Sequence, residues 1–267
     1  MDDEWKECYR KIDEAINNLE ESVDLNMELS ANGGYKIYHL YMFDNPQHFY
    51  LQNQVCVHNR GDGNDSLSFY YAVGREKGEY CDYGYGSLTD ELREKIRAKK
   101  AVFDAEVRRI ISTIPANAPA VVKEKLIYDR ILIDSHYNLS ARWDGLANDN
   151  WTAYGILVNK YGVCESYSEA FQTLCQAVGI NCTGIVGTAG GGHKWNAVQL
   201  DGEWYQCDIT FDDPIGGEQG AAYHYYFNRT SEEMTEMNHD WSNCDWPVPE
   251  CDATKYAYKN YFGDDYW

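Results

Sequence analysis

Residues 162–180 read GVCESYSEAFQTLCQAVGI. Tyr167, Ala170, Phe171, Leu174, Cys175 and Val178 recur at three- and four-residue steps, so the stretch predicts an amphipathic helix with an inward apolar side and Gly179 just past its end. Gly162 marks a turn, and Cys164 stands where that turn becomes the first residue of the helix. The first backbone N–H groups of a helix lack an intrahelical acceptor, and the macrodipole is positive there. Both favour an ionised sulfur. A cysteine standing alone is ordinarily a small buried hydrophobe, and a nucleophile needs in addition a base and a group that orients the base.

Two strand-like runs downstream supply those groups. Residues 193–200 (HKWNAVQL) and 203–211 (EWYQCDITF) are separated by Asp201-Gly202, a dipeptide preferred in two-residue type I′ turns. The turn sets Leu200 opposite Glu203, and the same count sets Trp195 opposite Asp208 and His193 opposite Thr210, all on one face. His193 and Asp208 are then diagonal neighbours roughly 7–8 Å apart at the backbone, a gap that imidazole and carboxylate close by a hydrogen bond. Such an aspartate fixes the histidine tautomer and stabilises its imidazolium, while the histidine pairs with Cys164. Cys207 is expected on the other face. Trp195 and Trp204 are expected on opposite faces, Trp195 walling an acyl pocket and Trp204 in the core. The GTAGGG run (187–192) before His193 permits close approach by another backbone, and it lacks the lysine spacing of a phosphate loop.

The stretches 162–180, 193–214 (HKWNAVQLDGEWYQCDITFDDP) and 223–234 (YHYYFNRTSEEM) together resemble the bacterial branch of the transglutaminase-like superfamily, relatives of papain-type cysteine enzymes. The resemblance covers roughly residues 105–240, and FDNPQHFYL (43–51) is similar to a stretch that precedes the core in some members. Cys164, His193 and Asp208 match the family's triad in kind and order. Ser166 stands where many relatives carry glycine, and Phe211 where many carry tryptophan. The resemblance implies an α+β fold in which a helix-borne cysteine packs on an antiparallel sheet carrying histidine and aspartate. It implies acyl transfer on peptide or protein amides through a thioester, foremost peptidase- or amidase-type hydrolysis. The alternatives are protein-glutamine transglutaminase or deamidase chemistry, and a non-catalytic peptide- or cell-wall-binding module. The oxyanion is expected to meet the Cys164 N–H and one upstream hydroxyl, Tyr154 or Thr152. No cofactor is expected. Zinc is disfavoured because no Cys-x-x-Cys pair occurs.

The chain has 267 residues, 44% of them hydrophobic, enough for a full core in one catalytic domain with an N-terminal extension, or in two small domains. A formal net charge of −20 disfavours nucleic acid and anionic membranes and leaves a peptide or protein as the natural partner. No run is apolar enough to insert in a membrane; the start lacks a signal peptide, which leaves the compartment open: extracellular or cell-envelope if an export signal was trimmed, otherwise cytoplasmic. The oligomeric state is not specified. Nine cysteines do not read as a disulfide framework, although the spacing leaves a Cys244–Cys251 pair open; Cys175 and Cys207 read as inert buried thiols.

Residues 1–100 are expected to form a mainly helical region with a hairpin, and 101–267 the catalytic domain. Trp5, Cys8, Tyr9, Ile12, Ile16, Leu19 and Val23 predict a helix through the first thirty or so residues, and 35–43 predict a second ended by Pro46. Strand-like runs at 49–57 and 66–73 flank RGDGNDS (60–66), which lacks the full calcium-loop pattern and reads as a turn. A long helix is expected from an N-cap at Ser87 to Ile114, another from Ala120 to Tyr137, and a third over 151–160. His224 and His239, in the tyrosine-rich C-terminal part, are assigned structural roles or the rim of the cleft.

Overall fold

The computed structural model describes residues 3–29, 32–61, 63–72, 88–141, 149–213 and 222–263. The chain divides into two compact units, Met1–Ala101 and Val102–Trp267.

In the first unit, α1 (Asp3–Asn17) buries Cys8, Ile12, Ala15 and Ile16. The helix expected to run on to about residue 30 stops there: Leu19 takes a left-handed conformation (φ 55°), and the chain re-enters as strand β1 (Ser22–Asp24). Three residues are too few for a period-two pattern, which is why the strand was not foreseen. Helix α2 (Gly33–Asp44) follows, then β2 (Leu51–His58) and β3 (Ser66–Tyr71), giving an antiparallel sheet in the order β1-β3-β2. Within the loop after β2, buried Asp65 accepts hydrogen bonds from the N–H of Leu29 (2.8 Å), the Asn59 amide (2.8 Å) and the N–H of Arg60 (3.2 Å). Its oxygens thus hold the turn together.

Helix α3 (Asp90–Ile111) contributes residues to both units. The Leu92 N–H bonds the Thr89 hydroxyl at 3.2 Å, a cap near the helix start; the expected cap, Ser87, lies outside the described residues, as does Cys81. In the second unit come α4 (Ala120–Asp134) and the short strands β4 (His136–Tyr137) and β5 (Tyr161–Gly162), paired in parallel. Where one helix was expected over 151–160, a 3₁₀ turn (Asp149–Trp151) and a π-helical turn (Gly155–Asn159) occur, and Lys160 ends the latter at φ 67°. Then follow α5 (Cys164–Ala177), an antiparallel sheet of β6 (Asn181–Thr188), β7 (Gly192–Leu200) and β8 (Glu203–Cys207), and the short helices α6 (Ser231–Glu236) and α7 (Tyr258–Phe262). The architecture is α+β.

The β7–β8 turn takes the conformation its dipeptide demands, Asp201 at φ 52° and Gly202 at φ 89°, and Leu200 pairs with Glu203. The ladder runs to Asn196↔Cys207 and stops; the Asp208 N–H bonds the Tyr226 carbonyl instead, at 3.1 Å. Helix α5 covers the side of β7 that carries Lys194 and Asn196. The Asn196 amide donates to the Ser168 carbonyl (3.1 Å) and the Lys194 ammonium to Glu169 (2.9 Å). Trp195 joins a cluster with Ile185, Ala197, Met234 and Cys251, against which Trp204 packs. The two tryptophans therefore share a face, contrary to expectation. Trp204 pairs with Gln199, residues paired across a ladder share a side, and Gln199 is four residues from Trp195. Cys175 and Cys207 are fully buried, and no disulfide joins the described cysteines, Cys244 and Cys251 included. No described helix is long and apolar enough to cross a membrane.

Candidate active site

Cys164 is the first residue of α5 and is partly exposed. Val163 before it is extended (φ −110°, ψ −177°) and caps the helix with no side chain, so no side-chain cap occupies the amides there. The helix start is tied down from behind. The Asn150 carbonyl accepts the Val163 N–H (3.0 Å) and the Ser166 hydroxyl. Gly162 makes room for this, because a Cβ there would come 2.6 Å from the Ser166 side chain. Ser166 thus anchors the start of α5 to the segment that precedes it.

His193, near the start of β7, meets Asp208, the first residue beyond β8: Nε2 lies 2.7 Å from Oδ2. Burial disfavours the imidazolium, but hydrogen bonds to Asp208 and to Cys164 outweigh it and raise the His193 pKa to about 10. With Nε2 committed to Asp208, Nδ1 is the nitrogen left for the cysteine. Asp208 is completely buried. Burial opposes its charge, yet the hydrogen bonds from His193 and His239 hold its carboxyl below the usual carboxylate range. Oδ1 accepts the N–H groups of Thr210 (3.0 Å) and Phe211 (3.2 Å), and Oδ2 also meets Nε2 of His239 at 2.8 Å. Four groups therefore converge on one buried carboxylate.

The three residues of the expected triad are brought together; the auxiliary assignments fare differently. Trp195 is 1% exposed, donates its indole N–H to Gln206 (2.7 Å) and lies behind the His193 ring at 5.8 Å between centroids. It backs the histidine from the core and walls no open pocket, because its face of the sheet is covered by Met234 and Cys251. The Thr152 hydroxyl is committed to the Asp149 carbonyl (3.2 Å), and the Tyr154 ring stacks on Phe103 (6.3 Å, interplanar angle 13°). The indole N–H of Trp151, by contrast, is buried with no acceptor among the described residues, next in the chain to the Asn150 carbonyl that anchors α5.

His239, read from the sequence as structural or at the rim of the cleft, is part of this site. The only signal for His239 was its place in an aromatic NHDW stretch. Phe211, 42% exposed, lies 4.7 Å from the His193 ring, between the histidine and Tyr226. His224 is structural, bonded to Asp129 (2.6 Å) and stacked on Tyr258 (4.1 Å). His193, Asp208 and His239 each bring one atom able to bind a cation within 4.8 Å of the others, and hydrogen bonds among them already satisfy those atoms.

Residues 108–209 match the family described as the transglutaminase-like superfamily, a stretch that holds Cys164, His193 and Asp208 and ends before His239. Kyphoscoliosis peptidase of Homo sapiens is 25% identical over 102 residues, 32% of this chain and 15% of that protein. Its counterpart in Mus musculus is 24% identical over 78 residues, 24% of this chain and 12% of that protein. The chain therefore spans a small part of the length of these relatives. Among solved structures, a TGase aligns with a TM-score of 0.35 and 14% identity, over 80% of this chain and 55% of that one. A protein of Cytophaga hutchinsonii provisionally described as a cysteine protease aligns with a TM-score of 0.34 and 14% identity, over 61% of this chain and 64% of that one.

Proposed function

We propose that this chain, whose residues 108–209 match the transglutaminase-like superfamily, performs cysteine-dependent acyl transfer on peptide or protein amides, with hydrolysis as its outcome. The observation that carries the reading is the chain of contacts from Cys164 through His193 to a buried, four-coordinated Asp208. Cys164 Sγ attacks the amide carbonyl carbon while its proton rests on His193 Nδ1. The imidazolium then passes that proton to the departing nitrogen as the C–N bond breaks, leaving a thioester. Water, deprotonated by His193, attacks the thioester carbon and releases the acid and the thiol. Asp208 holds the ring in one tautomer and stabilises its charge throughout.

The oxyanion meets the Cys164 N–H, and we assign its second donor to the Trp151 indole in place of the Thr152 or Tyr154 hydroxyl. A buried N–H without an acceptor costs about 1–3 kcal/mol, and a substrate oxygen would relieve it. The partner is a peptide or protein; the net charge of −20 favours a neutral or basic one.

The test is mass spectrometry of a peptide library rich in glutamine and lysine, incubated with the protein and with Cys164→Ala, with and without a small primary amine. Shortened or deamidated peptides that vanish in the variant support hydrolysis. Amine incorporation would move the assignment to a transglutaminase. Equal spectra from both proteins, with Cys164 no more reactive to iodoacetamide than Cys56 or Cys244, would sink the catalytic reading in favour of a binding module.

A further inference from the structure

We propose that His239 is a positioning residue of this site: by donating to Asp208 Oδ2 it keeps the carboxylate in the orientation that His193 requires. The inference rests on the reading of Cys164, His193 and Asp208 as the reacting group and goes beyond the family match, which ends thirty residues before His239.

Asp208 lies just past Cys207, the last paired residue of β8, so its own position is not held by the ladder. The backbone N–H groups of Thr210 and Phe211 restrain Oδ1. Oδ2 has two partners, and one of them, His193, changes protonation state during the proposed reaction. The other does not take part in proton transfer and is held firmly. The His239 side chain is completely buried, its Nδ1 faces the Met237 carbonyl at 3.2 Å, and the backbone N–H of His239 bonds the Met234 carbonyl at 3.0 Å. The ring is boxed by Trp195 (5.0 Å, 81°), Phe211 (5.2 Å) and Tyr226 (5.6 Å).

The backbone around it is fixed as well. Asp240, the next residue, exchanges two hydrogen bonds with Thr188 of β6 (2.8 and 2.9 Å). That approach needs Gly187, where a Cβ would lie 2.2 Å from the Asp240 carbonyl oxygen. The glycine run thus admits a backbone of this same chain, and that backbone delivers His239 to Asp208. On the other side, α6 begins with a reciprocal cap between Thr230 and Glu233. A second ring donor on a buried carboxylate also satisfies an oxygen that would otherwise depend on the reacting histidine alone.

The ionisable groups around Asp208 are His193 of β7, Cys164 of α5 beyond it, His239, and, at longer range, Tyr128 of α4, Asp212 and Tyr226. None of the last three is altered by the variants below. The experiment is iodoacetamide alkylation of Cys164, followed by peptide mapping at pH 6 and pH 10, in the full chain and in His239→Phe and His239→Gln, with thermal melts of each. At pH 6 alkylation is read with His193 protonated beside Cys164; at pH 10 the His193 charge is partly lost, so the orientation of that ring counts for less.

Phe at 239 is expected to slow alkylation about tenfold at pH 6 and less than twofold at pH 10. Gln, which can present an N–H near the position of Nε2, is expected to stay within threefold of the native chain at both. If His239→Phe does not fold, His239→Asn, whose amide is too short to reach Oδ2, replaces it with the same expected values. Native reactivity at pH 6 in the Phe or Asn variant overturns the proposal. So does a Gln variant as slow as Phe, which would make the ring's bulk the cause. If native Cys164 shows no excess reactivity over Cys56 and Cys244 at pH 6, the underlying assignment of the reacting group falls and this inference with it.

Discussion

A thiol acts as a nucleophile at neutral pH when the group beside it can hold its proton, and His193 reaches that condition through contacts on both ring nitrogens. Its pKa of about 10 lies above the ordinary histidine value of 6.5. The stabilisation from this pairing is therefore complete below about pH 6.5 and disappears as pH rises through 10. Trp151 is the other residue whose chemistry stands out, because its buried N–H has no acceptor among the described residues. Trp151→Phe removes that donor without leaving a polar group unpaired. Turnover of any cleaved peptide is expected to fall about 10²-fold, while stability holds or rises by up to about 1–3 kcal/mol as the unsatisfied donor is removed. A variant that melts far lower, or one that turns over as fast as the native chain, would remove the indole from the oxyanion site.

Helix α5 and strand β7 set the geometry between them, and small residues decide whether they can. Gly162 lets Ser166 reach the Asn150 carbonyl, which fixes where α5 begins, and Gly187 lets the segment around Asp240 close on β6. Gly187→Ala places a methyl group 2.2 Å from a backbone oxygen, a clash that no rotamer relieves. Urea unfolding is expected to show a loss of about 1–3 kcal/mol, and Cys164 alkylation at pH 6 should slow as His239 shifts. Unchanged stability would mean that the Thr188–Asp240 bridge is dispensable.

The chain as a whole is strongly acidic, and some of its carboxyl groups are buried in the second unit. Glu124 of α4 is completely buried, accepts the Asn228 amide at 3.0 Å and meets the Cys207 thiol at 3.4 Å. Burial pushes its carboxyl up to about 8. A carboxyl raised on folding stabilises the protein most below its free value near 4.5, and that contribution is lost as pH rises through 8. Glu124→Gln, the neutral isostere, removes this dependence. Its stability relative to the native chain, measured by urea unfolding from pH 5 to pH 9, is expected to rise with pH and to exceed native by more than ~1 kcal/mol at pH 9. Asp212, raised to about 7 by burial, titrates in both proteins and cancels in the difference. A difference that stays flat with pH would show that Glu124 is ionised in the folded state.

Local rules carried the reading far in the second unit. The Asp-Gly turn dictates the β7–β8 register, because that dipeptide favours the two-residue type I′ turn whose twist matches the strands, and the apolar period of 162–180 dictates a helix that begins at Cys164. The residues that complete the site needed the folded chain. Asp208 lies past the ladder and is oriented by turn amides, and His239 arrives from thirty-one residues downstream through a bridge that only Gly187 permits. The face of Trp204 follows from pairing rules and was misread; its packing against Trp195 depends on Met234 and Cys251, which no strand pattern announces. Sequence periodicity specifies which side of an element is apolar, since that is a property of neighbouring residues. Which distant side chains share one buried carboxylate is a property of how the elements pack, and it is decided only when the loops between them close.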